Sequence, residues 1–148
     1  MLRIGVVAGA LLLGVGAVAA QQDVVKDRQA TMKNAGKNLG GVLSAMAKGD
    51  KPYDQAAVDA ALVELAGFAK KIPALFPDST KGLRGEGDYS PSPKVWEDKA
   101  GFHVQNANLE KAVADVTGKI KDLDSLKANL PTIGKGCSGC HETYRLKG

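Results

Sequence analysis

Cysteine and histidine are scarce in this chain, whose 148 residues carry two of each. A disulfide-stapled scaffold is excluded, because Cys137 and Cys140 stand so close that a bridge would close only a tiny loop. A zinc site built from paired motifs is disfavoured too, since the candidate thiol and imidazole ligands are Cys137, Cys140, His141 and the distant His103. Strand-like alternation is missing, so a β or mixed fold has no support. There is no internal repeat, low-complexity tract or long run of one charge. The net charge of +4 is mild and gives no nucleic-acid footprint.

What is present begins with "MLRIGVVAGALLLGVGAVAAQQD", one positive charge followed by a small, apolar stretch that ends in alanines. This is the pattern of a secretory signal peptide, too short for a comfortable membrane span. Cleavage at Ala19 or Ala20 is expected, leaving residues 21–148 as one exported domain that is not membrane-spanning.

The rest reads as helices. Val25, Arg28, Met32, Ala35, Leu39, Val42 and Met46 recur at steps of three and four, the seam of a bundle helix, until Gly49, Asp50 and Pro52 stop it. Asp54 is a candidate N-cap for a second helix with Val58, Leu62, Leu65, Phe68 and Ile72 on its apolar stripe. Residues 77–92, rich in Gly, Pro and Ser, read as a long surface loop. Ser92 and Pro93 look like the cap and first residue of a third helix carrying Val95, Phe102, Leu109, Val113, Val116 and Ile120. Asp122 or Asp124 caps the fourth. The expected fold is all-α, an antiparallel up-down-up-down four-helix bundle, with a less regular all-α fold as the alternative.

The fourth helix holds the chemistry. Leu126, Leu130, Ile133, Cys137, Cys140 and Tyr144 keep the seam spacing, so both thiols face the core and His141 lies one turn beyond Cys137. C-x-x-C-H is the attachment signature of haem c, because two thiols and an imidazole on one side of a helix suit two thioether bonds and an iron ligand. A thiol-disulfide oxidoreductase would carry its reactive cysteine at an exposed helix N-terminus in a βαβ setting, which this chain lacks.

At these residues the sequence resembles the class II c-type cytochromes, the cytochrome c′ group. "RQATMK", "PALFPDS", "SPSPKVW" and "CSGCHETYR" carry the resemblance, in that order along the chain. It is most similar to the low-spin, methionine-ligated cytochrome c-556 branch. The resemblance implies one covalent haem c per chain, a periplasmic location, and Met32 facing the distal side of the haem, where high-spin members carry a non-coordinating apolar residue. It also implies that Arg28 lies near the propionates and that Arg145 lies close to His141. Tyr144 packs against the haem edge or the core, with a hydroxyl that needs a partner.

Met32 is thus either the sixth iron ligand or a space-filling core methionine. Helix heights favour it over Met46, which is roughly 21 Å further along the same helix. His103 sits off the apolar stripe. Arg28 pairs with propionates or snorkels to water. Gly36, Gly40 and Gly41 imply either small size near the haem or a close helix contact. The expected function is one-electron transfer with redox partner proteins, not catalysis, with an NO- or CO-binding high-spin haem protein as the alternative. Lys26, Lys33, Lys37, Lys135, Arg145 and Lys147 would draw an acidic partner to the haem end. The sequence is compatible with a monomer or a homodimer.

Overall fold

The computed structural model describes residues 12–85 and 89–146, with side chains from residue 19 onward. The first eleven residues of the expected leader and Lys147 lie outside the described residues. From Leu12 the chain is helical, and the part of the leader that is described runs without a break into the first bundle helix. Among the described residues no helix is long and apolar enough to cross a membrane.

The first bundle helix has three parts: α1 (Leu12–Gly36), a π-helical segment (Lys37–Ser44) and α2 (Ala45–Lys48). It stops at Gly49, whose φ of 85° is a left-handed cap closed by amides bonding back to Ala45 and Met46. The second helix, α3 (Gln55–Lys71), is capped by Asp54, whose carboxylate accepts the Ala57 amide at 3.1 Å. The chain then tightens into a 3-10 turn, Ile72–Leu75, at Pro73. A short helix, α4 (Lys94–Glu97), precedes α5 (Lys99–Val116). The last helix, α6 (Leu123–Tyr144), begins with a capping box in which Asp122 and Ser125 satisfy each other's backbone amides.

These elements form the antiparallel up-down-up-down bundle: α1 packs on α3, α3 on α5, and α5 most extensively on α6. The π segment and α2 close the ring against the early part of α6. Leu43, Val58, Leu65, Val113, Leu126 and Ile133 fill the core.

Three expectations need correction. The π turn shifts the seam locally: Leu43 is fully buried where Val42 was expected, Val42 is half-buried, and Met46 beyond it is buried as expected. The third helix does not start at Ser92 and Pro93 as one piece. Ser92 Oγ accepts the Lys94 amide and opens α4, but the long helix starts after Asp98, which accepts the Gly101 amide at 3.0 Å. Nor is the segment before it a simple surface loop. Thr80, Ser90, Pro91 and Ser92 are buried, and the chain pairs with the end of α6 through Ser92 N to Tyr144 O and Leu146 N to Ser90 O, each 3.0 Å. That pairing satisfies backbone groups which would otherwise demand water.

Candidate haem site

Between α1 and the last two turns of α6 the bundle opens into a cavity of about 320 Å³. Its walls carry every site residue singled out from the sequence: Met32 and Arg28 from α1, Cys137, Cys140, His141 and Tyr144 from α6, and Arg145 just beyond it. Leu65, Phe68, Ile72, Phe76, Phe102 and Leu109 supply an apolar lining. Tyr89, Ser90 and Pro91, which no periodicity marked, complete the wall from the segment paired with the chain end.

Glycine shapes the α6 side. A Cβ at Gly136 would lie 3.2 Å from Leu109 Cα and 3.1 Å from its Cδ1, so its absence lets α6 lie close on α5 just before the two cysteines. On the first bundle helix the reasoning differs: a Cβ at Gly36, Gly40 or Gly41 meets nothing within 4 Å, so close helix contact inside the chain is not their purpose. Gly36 lines the cavity, while Gly41 sits where the π turn frees a carbonyl that Lys51 Nζ bonds at 2.8 Å.

The cysteines are free and half-buried. Burial raises the Cys137 thiol, and burial with the neighbouring Cys137 pushes Cys140 up to about 11. A redox cysteine needs the opposite shift, so the structure argues against dithiol chemistry. His141 is half-buried, and burial followed by the charge of Arg145 lowers its pKa, which favours the neutral imidazole with a lone pair to donate. His103 is exposed, packs edge-on to Phe102 and is not part of the cavity wall. Among the described residues no cluster of three or more His, Cys, Asp or Glu side chains could hold a metal ion.

Arg28 is 1% exposed, which rules out the snorkelling reading. Its Nη2 donates to Leu83 O at 3.4 Å, its guanidinium lies 4.9 Å from the Phe76 ring centre, and burial lowers its pKa. Among the described residues, Nε and Nη1 are buried without a partner. Two orphaned donors on a buried cation are expensive, and an anion bound in the cavity would satisfy them. Tyr144, 7% exposed, finds its partner in Asp98, donating to Oδ2 at 2.8 Å. Nothing in the sequence pattern pointed to Asp98.

A family model described as Cytochrome C′ matches residues 23–145. The chain belongs to the cytochrome c′ family. This cytochrome is 54% identical to cytochrome c-556 of Rhodopseudomonas palustris over 99% of both chains. It is 43% identical to a cytochrome c′ of the same organism, over 99% of this chain and 97% of that one. An NMR-validated structural model of oxidised R. palustris cytochrome c556 superposes with a TM-score of 0.76 at 52% identity, covering 86% of this chain and 98% of that one. The cytochrome carries covalently bound haem c. Its residues fit that group: both cysteines of the chain line one largely apolar cavity with the His141 imidazole, and Arg28 brings two buried donors that have no partner among the described residues.

Proposed function

We propose that this cytochrome is an exported, low-spin one-electron carrier, not an enzyme. In this reading Cys137 and Cys140 would hold the haem covalently, and His141 and Met32 would be the ligands to its iron. Haem c, when bound, supplies an iron that alternates between ferric and ferrous states. His141 contributes an unprotonated ring nitrogen, and burial favours that form. Met32 contributes a thioether sulfur from a different helix, and ligation by both residues would leave the iron closed to substrate or gas. The Nε and Nη1 donors of Arg28 would hold a propionate carboxylate. Arg145 stands near His141, and Tyr144 packs beside it.

The observation that carries the reading is that Met32 and His141, on separate helices, line the same cavity as the cysteine pair. The 54% identity to a cytochrome c-556 supports the low-spin branch. Export to the periplasm, with cleavage leaving residues 21–148, follows from the N-terminal pattern. The partner would be another redox protein with an acidic face, since Lys33 lies over the Tyr89 ring at the cavity wall and Arg145 lines the cavity.

Absorption spectra of the ferric and ferrous holoprotein, with and without CO, test the assignment. Low-spin spectra insensitive to CO are expected, and acid-acetone extraction should leave the haem on the protein. A high-spin iron that takes up CO would support the gas-binding alternative instead.

A further inference from the structure

Tyr144 closes the last turn of α6, three residues after His141. The end of a helix is where fraying starts, because its last carbonyls lack intrahelical partners. An axial imidazole in that turn therefore depends on whatever holds it. Tyr144 is tied down at three points. Its carbonyl accepts the Ser92 amide at 3.0 Å. Its ring packs edge-on against Phe102 with centres 5.3 Å apart. Its hydroxyl donates to Asp98 Oδ2 at 2.8 Å.

The third tie has a receptacle. Asp98 caps α5, so one carboxylate oxygen binds the Gly101 amide and the other takes the phenol. A Cβ at Gly101 would collide with both Tyr144 Oη and Asp98 Oδ2, so only glycine leaves room for the pair. The hydroxyl of a 7% exposed tyrosine needs a partner, and the ionised cap of the neighbouring helix is a strong one.

We propose that Tyr144 is a positioning residue for the axial histidine: its hydroxyl, seated on Asp98 in the notch left by Gly101, anchors the turn of α6 that carries His141 to the start of α5. This rests on the reading of His141 as an iron ligand. Tyr144 and Asp98 fix the direction of the imidazole and suppress local opening of its turn, beyond adding to global stability.

The test uses ferric holoprotein labelled with 15N-histidine in a His103→Gln background, where His141 is the one remaining histidine. Electron-nuclear double resonance reads the ring nitrogen at the iron, and amide hydrogen exchange reads residues 141–144. Tyr144→Phe keeps the ring and removes the hydroxyl; it is expected to broaden or split the nitrogen signal and to speed exchange in that turn about tenfold. Asp98→Ala should do the same with the phenol intact, which covers the case where Tyr144→Phe fails to mature. Asp98→Asn keeps an oxygen for the Gly101 amide and turns an NH2 toward the phenol, whose oxygen can accept from it, so the tie is reversed in direction and most of the parent behaviour should return. Variants that melt earlier yet keep the parent nitrogen signal and exchange rates would overturn the positioning role. A parent protein without a histidine nitrogen signal would overturn the His141 assignment itself, and this inference with it.

Discussion

Arg28 is the residue whose environment most demands a bound anion. A fully buried guanidinium with two donors unpartnered among the described residues is a state that proteins avoid unless a counter-charge arrives. If that charge is a haem propionate, Arg28→Met keeps the buried stem and removes a cation that favours the ferrous state. The reduction potential should then fall by roughly 50 mV, close to the 59 mV of a tenfold change in a one-electron equilibrium. An unchanged potential by voltammetry would separate Arg28 from the haem. Tyr144 makes a prediction on the alkaline side. Burial and the bond to Asp98 push its pKa from 10.0 up to about 12, so the folded state holds the neutral phenol more tightly than the unfolded chain does. Its contribution is intact below pH 10 and is lost as pH rises towards 12. Denaturant melts across that range should show a drop in stability that Tyr144→Phe lacks.

Between elements, the close seat of α6 on α5 depends on Gly136. Gly136→Ala would press a methyl against the Leu109 backbone and is expected to destabilise the bundle by about 1–3 kcal/mol, read from urea midpoints. Gly40→Ala, with open space around it, should be neutral or stabilising by up to about 1 kcal/mol. The contrast shows what the sequence could and could not reveal. Three-and-four spacing located the four long helices and put Cys137, Cys140 and Tyr144 on one seam, because burial of a stripe is a local, periodic property. The slip from Val42 to Leu43 was hidden, since a π turn leaves no mark in a hydrophobic pattern. Asp98 was equally hidden: it caps α5 inside a stretch that reads as one helix, and its bond to Tyr144 spans 46 residues of sequence. Ser90 and Pro91 looked like surface because only their pairing with the chain end buries them. Arg28 stood out as a charge on an apolar seam, but only its burial chose between water and an anion.

At the scale of the whole molecule, basic side chains stand at the cavity end of the bundle. Lys33 lies over the Tyr89 ring at the cavity wall, and Arg145 lines the cavity itself. Steering by this end predicts that the transfer rate to an acidic partner falls as ionic strength rises, since exposed charges are screened beyond roughly 10 Å at 0.1 M salt. A rate independent of salt in stopped-flow measurements would count against it. The central claim, however, is that Met32 and His141 together close the iron. The most direct measurement is the spectrum of Met32→Ala beside wild type, ferrous, with and without CO. The account predicts a low-spin wild type indifferent to CO, and a variant that becomes high-spin, binds CO readily and has a lower potential. A Met32→Ala protein that stays low-spin and refuses CO, losing only a few kcal/mol of stability, would show that Met32 is packing and contradict the account.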